Sequence, residues 1–386
     1  MHPTGPVARR FPLVARHRPV CLPLDARVGR LTELADTASR QNDPGLASTV
    51  FNQAALLATD LALPDYAREL CHRHAALYLT RGPLPAKSAI RGLEPVVNLA
   101  RLHIRAGHHQ RGHQLLIDLY HAVTTATETT LDGITIPARL TETDQQRHEV
   151  HEWLWRVVIA DGTRALTTAG RWADALHHIE KHRGIGQRIL DGRQVAILAR
   201  ATTADLPGAL ALLDTTQPGA PWEDAVTAVL TALCRPDDRH AAKTAIDHCL
   251  ALEPTEGLAV FTTRLTLTAI DAADTTAPTA RNLAHHLALR TAESGDGYAL
   301  RDLLAHPVAL AHLRAARVEL LRESLGAFAL NTGTLSPHLK AALKDALDRA
   351  GTVLEMARLD PTTPNCDPIE HRAEQGTTPY YSSCRS

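Results

Sequence analysis

Residues 169–176 read Ala169-Gly170-Arg171-Trp172-Ala173-Asp174-Ala175-Leu176, and residues 106–113 read Ala106-Gly107-His108-His109-Gln110-Arg111-Gly112-His113. In both, a Gly follows an apolar helical stretch, a large ring comes two residues later, and a small residue stands three further on. A helix that ends, turns tightly and restarts against itself calls for this order. Gly at the corner admits the left-handed backbone, and the small residue lets two helices approach closely. Recurrence of such a unit predicts stacked helical hairpins.

The stretches on either side extend the pattern. Leu116, Leu119, Tyr120 and Val123 recur at i, i+3, i+4, i+7, as do Trp172, Ala175, Leu176 and Ile179. Phe51, Ala55 and Leu56 share a face. Val226, Val229, Leu230 and Leu233 repeat the spacing, then Ala242, Ala245, Ile246 and Cys249. Leu339, Leu343, Ala346, Leu347, Ala350 and Leu354 form one long stripe. This is the amphipathic helix signal, restated from about Leu31 to Leu359. Apolar residues make up 44% of the chain but aromatics only 4%, so the core is built from Ala, Leu and Val, which favours helix over sheet. Pro and Gly punctuate the helices, as at Gly82-Pro83, Pro207-Gly208 and Pro218-Gly219. Pro307 predicts the first turn of a helix running towards Leu330.

One segment departs from this. Thr129-Thr130-Leu131-Asp132-Gly133-Ile134-Thr135-Ile136-Pro137 alternates around Asp-Gly, which predicts a small β-hairpin flap between helices. Residues 1–25 are rich in Pro, Arg and His without a period and read as a flexible arm. Residues 361–386 lose periodicity and read as a disordered tail. The helical repeat domain is thus expected over 26–360.

These motifs resemble the tetratricopeptide repeat, a helical hairpin of roughly 34 residues. Gly170, Trp172 and Ala175 match its turn Gly, following aromatic and small residue. Gly107, His109 and Gly112 stand at the same places, with His for the aromatic. Ala242, Cys249, Leu250 and Pro254 resemble a second helix and closing Pro. The resemblance implies an all-α fold, a right-handed α-solenoid of stacked hairpins with one small β-hairpin insertion. It also implies a non-catalytic scaffold that binds a peptide, a protein partner or a small effector.

With 41 basic and 42 acidic residues, no global field favours nucleic acid or an anionic membrane. No apolar run reaches the roughly 18 residues of a bilayer span. Arg16, His17, Arg18 and Pro19 break the one N-terminal apolar stretch, so no signal peptide and a cytoplasmic location are expected. Six scattered cysteines without a C-x-x-C pair fit reduced thiols.

No Gly-x-Ser-x-Gly elbow, phosphate loop or kinase signature is present, so no catalytic residue is assigned and no cofactor is expected. The histidine groups His108/His109/His113, His148/His151 and His177/His178/His182 lack a complete tetrahedral ligand set, so no metal is expected. Cys71-His72-Arg73-His74 reads as a buried Cys beside exposed His, and Cys234 and Cys249 as core. Gly184-Ile185-Gly186-Gln187-Arg188 followed by Asp191-Gly192-Arg193-Gln194 is dense in Gly, Arg and Asp, and Arg183, Arg188 and Arg193 there could hold an anion or carboxylate. Trp153 and Trp155 are the candidate aromatic anchors, and the Asp132-Gly133 flap is the second candidate loop.

Three alternatives stand beside the scaffold reading, one of them an enzyme with an unrecognised helical fold. Tyr380, Tyr381 and Cys384 lie in a Thr/Ser-rich tail that resembles the core of a modified peptide, which would make the chain a carrier for modifying enzymes. Arg9, Arg10, Arg16 and Arg18 would suit a transcription-associated regulator acting through a partner, because residues before Leu31 hold no DNA-binding helix-turn-helix.

Overall fold

The computed structural model describes residues 1–80, 82–273 and 277–359. In chain order α1 (Pro6–Arg10) is followed by α2 (Leu24–Gln41), α3 (Pro44–Asp60), α4 (Pro64–Leu79), α5 (Ala86–Arg105) and α6 (His109–Thr125). Strands β1 (Thr129–Leu131) and β2 (Ile134–Ile136) come next, then α7 (Asp144–Val157), a π-turn at Val158–Gly162 and α8 (Thr163–Thr168). The remaining helices are α9 (Trp172–Lys181), α10 (Asp191–Thr202), α11 (Leu206–Asp214), α12 (Pro221–Cys234), α13 (Arg239–Ala251), α14 (Ala259–Ala272), α15 (Pro278–Ser294), α16 (Gly297–Leu304), α17 (Pro307–Ala311), α18 (Ala315–Gly326) and α19 (Pro337–Leu359). Among the described residues the fold is all-α with one two-stranded sheet. Among the described residues no helix is long and apolar enough to cross a membrane.

Where one helical domain was expected, the contacts divide the chain into two compact units. The flap unit holds 23–165 and the segment from 329 that includes α19. The arm unit holds 1–22 and 166–328. Within each, helices pack on the next in sequence and on the next but one, as in α3 on α5 and α5 on α7, or α12 on α14 and α14 on α16.

Among the described residues five corners are built alike, and Arg183 shares their backbone bonds without a small residue five further on. Asn42, Ala62 and Gly107 in the flap unit, and Gly170 and Ala204 in the arm unit, all have left-handed φ between 50° and 84°. At each, the corner amide donates to the carbonyl three residues back (3.0–3.4 Å), and the next amide donates to the carbonyl five back (2.9–3.0 Å). These bonds satisfy carbonyls that the ending helix leaves without partners. Five residues past each corner stands a buried small residue: Ala47, Ala67, Gly112, Ala175 and Ala209. At Gly112 a Cβ would lie 2.6 Å from Ile104 Cγ1 and 2.7 Å from the Ala100 carbonyl, so α5 and α6 meet there only because the side chain is absent. Trp172 is 2% exposed and its Nε1 donates to the Pro3 carbonyl at 2.9 Å.

The flap forms as the Asp-Gly signal predicts. Asp132 (φ 47°) and Gly133 (φ 85°) both take positive φ, the two-residue turn that suits strand twist. Leu131 pairs with Ile134 and Thr129 with Ile136. Leu131, Ile134 and Ile136 face the flap-unit core while Thr130 and Thr135 face out. The α19 stripe is buried at Leu343, Ala346, Leu347, Ala350 and Leu354, and α19 packs back on α2 and α3, far away in sequence.

Two expectations are corrected. The segment expected as a flexible arm is packed into the arm unit, with Phe11, Leu13 and Cys21 only 1%, 4% and 2% exposed. It follows no period because side chains of α10 and α14 hold it at single residues, Arg10, Leu13 and Arg16, and not along a helical face. The helix expected from Pro307 to Leu330 is two helices. Pro307 does sit in a first turn, with His306 as N-cap, but the chain breaks before α18, where Arg314 is extended.

Candidate functional site

The Gly/Arg/Asp-rich segment lies at the end of α9 and the start of α10. Helix α10 is buried on every side: Asp191, Gly192, Arg193, Gln194 and Val195 through Ala199 are all inaccessible. Amphipathic periodicity is therefore missing, and its polar side chains must be satisfied internally. Arg193 donates from Nε to Thr216 Oγ1 (2.8 Å), from Nη1 to the Gly186 carbonyl (3.0 Å), and from Nη2 to the Leu212 carbonyl (2.7 Å) and Thr215 Oγ1 (2.8 Å). Arg188 forks onto the buried Glu223 carboxylate. These two guanidiniums hold protein groups where an external anion or carboxylate was expected. Arg183 stays exposed at a left-handed position (φ 53°).

The residues of this segment that reach across to something separate are its neighbours, Asp191 and Gln194. Arg16 grips the 2%-exposed Asp191 carboxylate with Nη1 (3.1 Å) and Nη2 (2.5 Å). Gln194 takes the backbone of Leu13 in both directions: Leu13 N–H donates to Oε1 and Nε2 donates to the Leu13 carbonyl, each at 2.7 Å. Gln194 Nε2 also donates to the Ile189 carbonyl at 2.8 Å. On α14, Asp271 accepts from Arg10 Nη1 at 2.6 Å and from His306 Nε2 at 3.1 Å. His306 Nδ1 accepts the Ala309 amide (3.0 Å), so its proton sits on Nε2. Burial alone would raise the Asp271 carboxyl, but the hydrogen bonds from His306 and Arg10 and the Arg10 charge outweigh it and hold it below the usual carboxylate range. Sequence reasoning flagged the segment but chose its arginines. The signal available was the unusual Asp and Gln inside an otherwise apolar helix.

The flap turn is a second charged cluster. Asp132 is 9% exposed and accepts from Arg68 Nη1 (2.6 Å), His103 Nε2 (3.0 Å) and Arg111 Nη2 (2.9 Å). Burial would raise its pKa, but the hydrogen bonds and charges of Arg68 and His103 prevail and lower it. Gly133 sits on His72, whose Cε1 a Cβ would meet at 3.1 Å. The cluster ties the flap to α4, α5 and α6.

Trp153 and Trp155 are half-buried on α7, two residues apart and so on different faces of the helix. Trp153 packs against the flap-unit core. They belong to the flap unit, whereas Arg183, Arg188 and Arg193 belong to the arm unit. Tyr380, Tyr381 and Cys384 lie outside the described residues. The His178 and His182 rings lie 4.8 Å apart, and burial with His178 and Lys181 brings His182 down to about 4. Among the described residues no group of three or more His, Cys, Asp or Glu is placed to hold a metal. Cys71, Cys234 and Cys249 are core thiols, pushed up to about 12, 11 and 12 by burial. His74, expected exposed, is 1% exposed and lies on Phe51, with Nε2 2.9 Å from Ser48 Oγ. Ser48 Oγ is also 2.9 Å from Tyr78 OH. This Ser–His pair is sealed in the core.

No protein-family model, curated protein or solved structure matches the chain.

Proposed function

We propose that each unit is a right-handed α-solenoid of degenerate tetratricopeptide-like hairpins, and that the protein is a non-catalytic scaffold for a peptide or protein partner. The shared corner carries this reading. One hydrogen-bond scheme, one left-handed residue and one buried small residue recur at fixed offsets, even where Asn42, Ala62 and Ala204 replace Gly. Gly170 and Ala204 are spaced by one tetratricopeptide length, about 34 residues. Packing of successive helices, with α3 on α5, α5 on α7, α12 on α14 and α14 on α16, supports a stack, and stacked hairpins bind along extended surfaces. Trp153, Trp155 and Arg183 are proposed contacts, being accessible in part.

Selection of a displayed random-peptide library on the immobilised full chain tests the reading. Convergence on one motif is expected, with Trp155→Ala lowering the affinity of the selected peptide about tenfold, the scale of an aromatic anchor. A library that yields no motif above background removes the scaffold function.

A further inference from the structure

We propose that the arm unit contains a peptide-binding groove along α10 and α14 that takes an arginine-bearing peptide, and that the protein's own residues 10–18 fill it in this structure. This deepens the peptide-binding reading and rests on it, by giving one groove a ligand class.

The arm is held as a ligand is held. From Phe11 to Pro23 it has no helix, and its side chains divide by direction. Phe11 and Leu13 are buried, whereas Arg16, His17 and Arg18 are exposed, so one edge remains in solvent. The backbone between them is read by a side chain: Gln194, 0% exposed, bonds both the N–H and the carbonyl of Leu13. A side-chain amide that grips one residue's backbone fixes register without regard to sequence, because every non-proline residue offers the same pair. Sequence is read on either side. Asp271 takes Arg10 and the buried Asp191 takes Arg16, both through charge-assisted bonds. Further along, the Arg18 amide donates to the Gly257 carbonyl at 3.2 Å, and the Gly297 amide donates to the Cys21 carbonyl at 2.9 Å. The groove thus reads two Arg six residues apart, with buried apolar residues at the first and third positions after the first Arg. An arm tethered in cis has a high effective concentration and hides the groove from the same peptide offered in trans.

Two measurements on the full chain decide it. Arg10→Glu with Arg16→Glu repels the arm from Asp271 and Asp191 and leaves Gln194 and both carboxylates in place. The probe is a fluorescent peptide of residues 6–22 with Cys21 replaced by Ser, followed by anisotropy. The double variant is expected to bind it saturably and the parent chain not. Adding Gln194→Ala to the double variant is expected to weaken binding about tenfold, the scale of two lost hydrogen bonds. A folded double variant that ignores the peptide overturns the proposal, and so does a double variant that no longer folds, since the arm is then core. Hydrogen exchange on the unaltered chain tests the same point independently. Amides of residues 11–22 should open at least about a hundredfold more often than those of α13 and α15, as a separable segment does. Equal protection makes the arm part of the cooperative core and sinks the groove. These outcomes leave the library selection untouched, so the scaffold reading can stand or fall apart from this one.

Discussion

At Gly112 a missing side chain shapes the structure in a way that no contact reveals. The α5–α6 crossing occupies the space of its Cβ, against Ile104 and the Ala100 carbonyl. Backbone cannot yield as a flexible side chain can, so Gly112→Val is expected to cost about 2 kcal/mol or more by overpacking. Urea unfolding followed by circular dichroism reads it, and an unchanged midpoint would mean the helices can part freely. A second residue-scale effect lies at His74. Full burial brings its pKa down to about 3, while in the unfolded chain it titrates near about 6.5. Above about 6.5 both states are neutral and the fold keeps its full stability. Below that, the unfolded chain takes up a proton that the folded core refuses, so stability falls from about pH 6.5 down towards pH 3. The limiting slope from this group is about 1.4 kcal/mol per pH unit. Comparing unfolding free energies of the parent and His74→Phe at several pH values isolates it. The variant should show the shallower acid decline.

The elements show how far local signals reach. The flap is specified locally, since Asp132 and Gly133 set the turn and Leu131, Ile134 and Ile136 supply an inner face. Its docking is not local: Arg68, His103 and Arg111 come from three helices. Asp132→Asn keeps the shape and removes the charge. We expect a loss of about 1–2 kcal/mol, less than for a fully buried pair because Arg68 and Arg111 remain partly hydrated. Faster hydrogen exchange should appear over 129–136, and a flap as protected as in the parent would show that the clasp contributes nothing. Because the Asp132 pKa is lowered, its contribution is present above about pH 3.9 and is lost as pH falls through the folded value. At the helix corners local signals reach less far. Gly107 and Gly170 announce themselves, but Asn42, Ala62 and Ala204 adopt the same geometry without a Gly. A left-handed Ala costs roughly 1–2 kcal/mol, so the Ala62 and Ala204 corners are held by burial of Ala67 and Ala209 and not by local preference.

At the scale of the molecule there are two cores. The flap unit is completed by α19, whose Leu347 is buried in the cluster that contains Leu31 and Phe51. The loop before it donates the Asn331 and Gly333 amides to the Asp60 and Leu61 carbonyls, both at 2.7 Å, closing the end of α3. In the arm unit, Trp172 is fully enclosed and hydrogen-bonded to Pro3. Leu347→Ala and Trp172→Ala are each expected to cost about 3 kcal/mol. Because they lie in different units, the double variant should fall within about 0.5 kcal/mol of the sum. Chemical denaturation of the four proteins checks it, and a larger departure would show the two cores to be one.

By itself the sequence determined what short-range physics controls. Helix periodicity, the Gly corners at 107 and 170, the small residues behind them and the Asp-Gly turn each depend on a few neighbouring residues, and each forms as those residues imply. Tertiary structure alone decided the place of the arm, the burial of α10 and the return of α19. Arg16 with Asp191, Leu13 with Gln194 and Arg10 with Asp271 join residues far apart in the chain. Such pairs leave no period and no local propensity, since neither member announces its partner. Their meaning arises only when folding excludes water from the α10 or α14 partner, and the need to satisfy that buried polar group then turns an apparently loose, charged segment into a held one.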